Sequence, residues 1–260
     1  MPKTREMFDR TDVPRDSPHR NVVGALVCVA VFAAVALMVY LVWDRVRLES
    51  SLGDTDLSRA VKAQSTPKAP AGYAPTADEV ETLLLLTTDS LDTTGATLQS
   101  ARVLVLNKTQ GTAALANVPT EAKVTRENEP STLAGLFASS GPAACVKSLS
   151  AACGLGFGHV VVATDDIVEE AVSLAGADAA SLVRSASGLL SKMRTDLDAA
   201  GLVALAETLS SVGVANLTQV DAVMVPETAQ DADGNTVETG YQLVDAVQLD
   251  TALGVLVPVA

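Results

Sequence analysis

The run from Thr82 to Val124 constrains the fold more than any other part of the chain, because it reads as strand, loop, strand, tight turn, strand. TLLLLTTDSLD opens it, ARVLVLN and AALANVP follow, and KTQGT joins the last two. Thr82 to Leu86 is continuously apolar, the pattern of a strand buried on both faces. Asp89 falls just past its end, where open α/β sheets usually place their ligands.

Composition narrows the partners. Between Asp78 and Ala260 there are 8 Lys plus Arg against 23 Asp plus Glu, so 8 − 23 gives a formal charge of −15. Such a surface repels phosphate backbones, which argues against nucleic-acid binding. The first 77 residues hold little that can form a core, and residues 78–260 suffice for one α/β domain of ordinary size.

No charge interrupts Asn21 to Trp43, which as a helix spans roughly 33 Å, about one bilayer core. A secretory signal has a shorter apolar region of about 7 to 15 residues and a small-residue cleavage site, so a retained anchor is the expectation. Tyr40 and Trp43 sit at one end of the span, where aromatic side chains favour the interface. The expected layout is a cytoplasmic tail over 1–20, a transmembrane helix over 21–43, a stalk and linker over 44–77, and an extracytoplasmic domain over 78–260. Positive charge supports this orientation only slightly, since Arg45, Arg47, Arg59 and Lys62 follow the span. Asp44 to Ala60 can continue the anchor helix, and Ala63 to Ala77, with Pro67, Pro70, Gly72 and Pro75, reads as linker.

Further along, Ser131 and Thr132 can cap a short helix through Ser139, and Gly141-Pro142 starts another that ends at Gly154. Phe157 to Thr164 reads as a strand. Asp165 or Asp166 then caps a helix carrying Ile167, Val168, Ala171, Val172 and Ala175 toward the core. Asp198 caps a helix from Ala199 to about Ser211, with Leu202, Leu205, Ala206 and Leu209 on one stripe. Gln219 to Val225 is predicted as a strand with Tyr241 to Val244 as its antiparallel partner, and Asp250 to Val255 as the last helix.

The layout resembles the LytR-CpsA-Psr family of cell-envelope proteins, whose members carry a run like LLLGSDSRD, then RSDTIMLVSI, then a hairpin ending in PRD. The match extends with gaps over most of Asp78 to Ala260, and the closing pattern of TDL, apolar helix, strand ending in VPE and then GYQLVD fits it too. The resemblance implies an α/β fold with a mixed central sheet flanked by helices, an LCP-like domain preceded by one N-terminal transmembrane helix. It also implies the family's reaction, which moves a glycopolymer from a polyprenyl pyrophosphate carrier to a cell-wall acceptor. That chemistry uses carboxylates to hold Mg²⁺ and guanidinium groups to bind the pyrophosphate.

Residue by residue, the charged site is thin. Asp89 matches the first metal carboxylate, but the second, twelve residues on, is Ala101. Leu91 and Gln99 stand where the family has arginines, and Thr120 with Glu121 replaces the Arg-Asp of PRD. Gln99, Thr120, Glu121 and Arg184 are therefore the substrate-binding candidates and Asp89 the candidate for Mg²⁺. Arg102 neighbours Ala101 on a strand and should point to the opposite face. Lys123, Arg126 or Arg184 would have to reach in from loops. The segment in which the family carries an arginine pair is reduced to Ala177 to Arg194.

The expectation is a degenerate, membrane-anchored homologue with a binding or accessory role, holding a polyprenyl-linked glycopolymer or pairing with an active relative. Two alternatives remain: an active transferase with relocated cations, and an anchored interaction domain without ligand.

Other motifs carry less. Asp231, Asp233 and Asn235 have calcium-loop spacing, but Thr236 replaces the required Gly and Gln242 the closing Glu, so a polar hairpin loop is expected. Cys28 lies in the predicted span. Cys145 and Cys153 on one helix lie roughly 12 Å apart, beyond disulfide reach. His159 sits in an apolar strand with no nucleophile motif, and GLGFG at 154–158 follows a helix, unlike a nucleotide loop.

Overall fold

The computed structural model describes residues 52–65, 67–92, 94–164, 190–212 and 216–259. The predicted transmembrane helix over 21–43, Cys28, the helix expected after Asp165 and Asp166, and Arg184 lie outside these residues. Among the described residues no helix is long and apolar enough to cross a membrane.

In chain order the elements begin with α1 (Thr55–Lys62), β1 (Tyr73–Pro75), β2 (Val80–Thr88), β3 (Leu98–Asn107), β4 (Thr112–Val118), β5 (Lys123–Arg126) and β6 (Glu129–Thr132). They continue with α2 (Leu133–Cys153), β7 (His159–Thr164), β8 (Met193–Thr195), α3 (Ala199–Val212), β9 (Leu217–Asp221), β10 (Met224–Gln230), β11 (Thr236–Val244), α4 (Ala246–Ala252) and β12 (Leu256–Pro258). Among the described residues the central sheet has six strands in the order β8-β7-β2-β3-β4-β9. β2 runs parallel to β7 and antiparallel to β3, and β4 runs parallel to β9, so the sheet is mixed, as expected.

The apolar run of β2 is buried because both sheet faces are covered. Leu84 and Leu86 pair with Val103 and Ala101 of β3, and all four join Leu57 of α1, Leu133, Leu149 and Cys145 of α2, and Leu249 of α4 in one core. Leu83 and Leu104 face the other way, with Leu205 and Val212 of α3. Period-two alternation thus sends neighbouring strand residues into two different cores.

Within α2 the helical path breaks at Gly141 (φ 76°, ψ 177°), just before Pro142, which matches the two predicted helices. A side chain would strain that backbone, and Pro142 has no N–H to continue the ladder. Thr132 caps the first half by accepting the Gly135 N–H at 3.1 Å, and Gly154 (φ 72°) closes the second. Thr132→Ala is expected to cost about 1 kcal/mol, the usual loss for an N-cap hydroxyl, read from urea denaturation.

Three expectations give way to different local structure. The stretch expected as stalk and linker contributes α1 and β1. Asp54 caps α1 by accepting the Asp56 and Leu57 N–H groups at 2.9 and 3.1 Å, and Leu57 is fully buried. Its N-cap makes α1 a separate helix, starting after Gly53 and not continuing an earlier one.

The single strand expected over Gln219 to Val225 is two strands. β9 stays in the central sheet, buried Ala222 donates its N–H to Asn117 O, exposed Val223 turns the chain away, and β10 pairs with β11. The run Ala222 to Val225 carries no Gly or Pro to mark such a switch of partners. The last helix begins at Ala246, not Asp250, because Asp245 caps it through the Gln248 N–H at 3.0 Å.

Candidate functional site

Asp89 follows the last residue of β2 and is exposed. Its Oδ1 accepts the Thr97 N–H at 2.7 Å, and its own N–H donates to Thr97 O at 3.3 Å. That backbone N–H holds the carboxyl below the usual carboxylate range. The loop it closes is anchored from the far side by Gly95 N–H to Ala138 O at 2.9 Å. Asp89 therefore ties a loop through its Oδ1.

Among the described residues the other candidates do not assemble a cationic site around it. Gln99 is exposed on β3. Thr120 gives its carbonyl to the Ala134 N–H at 2.8 Å, helping to close the start of α2, and its hydroxyl lies 3.3 Å from Glu121 Oε2. Glu121 is exposed. Ala101 is fully buried, and Arg102, paired with Leu85 and Asn117, faces the opposite side of β3 as expected. Lys123 is ion-paired to Glu227 of β10 and lies 5.1 Å from the centre of the Tyr241 ring. Among the described residues no group of three or more His, Cys, Asp or Glu is arranged to hold a metal ion.

The described cations gather elsewhere. A groove of about 490 Å³ runs between α1 and α2, with the β5–β6 hairpin at one side. Arg59, Arg126, Lys147 and Arg194 all line it, and Ala60, Ala63, Pro142 and Ala144 are among its apolar walls. Asp56 and Glu127 also line it, 3.0 Å from Arg59 and 3.8 Å from Arg126. Three of the eight Lys and Arg between residues 78 and 260 thus reach one groove in a domain of −15 formal charge.

Position in the fold explains the gathering. Arg194 of β8 pairs with Val162 of β7, which pairs with Leu86 of β2, and Leu86 pairs with Ala101. Arg194 is held by Asp54 Oδ2, 3.0 Å from its Nε, and its Nη1 donates to Leu91 O at 3.3 Å. Burial alone would raise the Asp54 pKa, but the Leu57 N–H and the Arg194 guanidinium outweigh it and hold the carboxyl low. The groove is thereby joined through Leu91 to the loop that Asp89 closes. Arg59, Lys147 and Arg194 were not named as site residues in sequence; for the latter two the available signal was how few cations an acidic domain carries.

The remaining motifs are structural. Asp231 spends Oδ1 on the N–H groups of Asp233 and Asn235 in the β10–β11 turn. His159 Nδ1 lies 2.9 Å from Asp196 Oδ2, while Asp196 Oδ1 accepts the Val160 N–H. Cys145 and Cys153 are buried free thiols whose pKa values burial pushes up to about 12.

No family model matches this sequence, nor does any curated protein. Solved structures do. A Bacillus subtilis protein described as the transcriptional regulator yvhJ is 13% identical at a TM-score of 0.49, over 69% of this chain and 96% of its own. TagT bound to LI-WTA is 12% identical at 0.48, over 74% and 98%. TagV of B. subtilis is 10% identical at 0.48, over 69% and 96%. The structural neighbours of this chain thus include TagT and TagV, members of the LytR-CpsA-Psr family that its motif spacing resembles.

Proposed function

We propose that this chain is a membrane-anchored LytR-CpsA-Psr-like protein of the cell envelope that holds an anionic carrier lipid, a polyprenyl phosphate bearing glycopolymer, in the α1–α2 groove without transferring the polymer. The observation that carries this reading is the groove itself: four cations against two carboxylates, around apolar walls, in an otherwise acidic domain. Such a surface suits a ligand with a charged phosphate and a hydrocarbon tail.

Transfer is left out because the residues do not fit two-carboxylate metal chemistry. Asp89 has one oxygen tied to Thr97, and the second carboxylate position is the buried Ala101. The exposed Asp89 is the carboxylate that would meet a Mg²⁺ ion brought by the ligand's own phosphates, since such ions commonly use one or two protein carboxylates. The extracytoplasmic location and the anchor over 21–43 belong to the same proposal and rest on the sequence. An active relative that takes up the carrier is the partner this role calls for.

Native mass spectrometry of the full chain in mild detergent tests the reading. Wild type should retain polyprenyl phosphate or pyrophosphate, and Arg126→Glu/Lys147→Glu should retain tenfold less or below, as two lost charge-assisted contacts imply. Both side chains line the groove from outside the core, so folding should survive. Metal-dependent glycopolymer transfer by the purified protein, lost in Asp89→Ala, would contradict the proposal.

A further inference from the structure

A second cavity, of about 490 Å³, adjoins the α1–α2 groove, since Arg126, Glu127 and Ser140 line both. Beyond those three its walls differ in kind. The groove continues into alanines and Pro142, whereas this cavity continues into Glu129, Ser131 and Ser139, with Pro130 and Leu136 as its apolar part. Among the described residues neither Glu129 nor Ser131 uses its side chain in a hydrogen bond. Ser139 donates its hydroxyl to Leu136 O at 3.2 Å and lies 3.4 Å from the Ser140 hydroxyl.

The turn of the β5–β6 hairpin stands where the two cavities meet. It consists of Glu127 (φ 53°) and Asn128 (φ 71°), with Arg126 paired to Glu129. Two positive φ values belong to the tight hairpin turn that favours Asn and Gly. Asn128 suits it, but a glutamate at φ 53° is uncommon. Glu127 therefore holds its place against the backbone preference of the turn, as residues at functional sites often do.

Charge and hydrogen-bonding capacity select the ligand. Once a phosphate occupies Arg126, the lining of the second cavity is left with the carboxylates of Glu127 and Glu129 and no other cation. Such walls repel a further phosphate and accept hydrogen bonds from hydroxyl groups. The Ser131 hydroxyl can donate as well as accept, and Pro130 with Leu136 offers cover to C–H groups. A polyhydroxylated ring without charge meets all of these conditions.

We propose that this cavity is a binding site for an uncharged sugar attached directly to the carrier's phosphate. The hydrocarbon lies against the apolar walls of the groove, the phosphate sits at Arg126, and the ring hydroxyls donate to Glu127 and Glu129. This inference rests on the groove being the lipid site.

The test compares two phosphodiesters of equal charge, decaprenyl phosphoryl glucose and decaprenyl phosphoryl cyclohexanol, titrated into the full chain in mild detergent and read by native mass spectrometry. Both carry a six-membered ring, but only the first carries ring hydroxyls. Wild type should bind the glucose diester at least tenfold tighter, as hydrogen bonds to a charged carboxylate imply. Glu129→Ala/Ser131→Ala, at positions outside the groove, should cut this preference to about threefold or less and leave affinity for the cyclohexanol diester unchanged. Glu127→Asn, a residue the turn accepts more readily, should lower the preference as well. Equal affinity for the two diesters in wild type, or an undiminished preference in Glu129→Ala/Ser131→Ala, would overturn the sugar site while the groove stands. Retention of neither diester would overturn the groove and the sugar site with it.

Discussion

Arg194→Met is expected to lower stability by about 3 kcal/mol at pH 7, the largest loss foreseen for a single side chain outside the apolar core. Asp54 is only 5% exposed at its side chain and Arg194 only 20%. Removing the guanidinium leaves a buried carboxylate with backbone donors but no counter-charge. Because Asp54 is held below its ordinary pKa, its contribution is complete above about pH 4 and disappears as pH falls through the lower folded value. Arg194→Met should therefore flatten the acid limb of the stability profile as well as lower its plateau. Asp54→Asn keeps an acceptor for the Leu57 N–H and should cost less. Chemical denaturation of the two single variants and the double gives the coupling directly.

Asp250→Asn is expected to act in the opposite direction, raising stability by about 2 kcal/mol at pH 8. Desolvation pushes the Asp250 pKa up to about 7, from 3.8 in the unfolded chain. Between these values the folded state binds the extra proton, so stability falls as pH rises through the window and the loss is complete above it. The full shift corresponds to on the order of 4 kcal/mol, and water reaching the carboxyl reduces it. Of the groups that face the carboxyl, Cys153 stays a neutral thiol and Lys68 is exposed. At pH 4 wild type and Asp250→Asn should be nearly equal; thermal unfolding from pH 4 to pH 8 checks both the gain and its pH dependence.

The two replacements probe opposite treatments of a buried acid. Asp54 has a cap to make and a cation to meet; Asp250 has neither among the described residues.

Much of the fold was legible because its strongest signals are local. Thr82 to Leu86, the Lys108–Gly111 turn, the break at Gly141-Pro142 and the Asp198 cap each fix a neighbouring element through backbone conformation or hydrogen bonding, and each stands where the pattern puts it. What escaped was set by distant partners. Nothing between Gln219 and Val225 says that β9 must stay beside β4 while β10 leaves. Leu57 reads like any leucine of an amphipathic stalk until it meets the far side of the sheet.

For the candidate site the sequence spoke only through the family's positions. Ala101 and Leu91 showed that a paired carboxylate and a guanidinium were missing from the family's positions. The groove could not be read, since Arg59, Arg126, Lys147 and Arg194 are far apart in sequence and converge only through α1, the β5–β6 hairpin, α2 and β8. Arg184, the cation proposed from the shortened segment, lies outside the described residues, and Arg194 at that segment's end lines the groove.

Photo-crosslinking places the lipid most directly. A polyprenyl phosphate bearing a photoreactive group near its phosphate, irradiated with the full chain in mild detergent and mapped by peptide mass spectrometry, should label the end of α1 and its C-cap, Arg59 to Ala63, and α2 between Pro142 and Ala151. The label should fall away in Arg126→Glu/Lys147→Glu. Labelling confined to the loop from Asp89 to Thr97 and to Thr120–Glu121, unchanged in that variant, would contradict the groove as the lipid site.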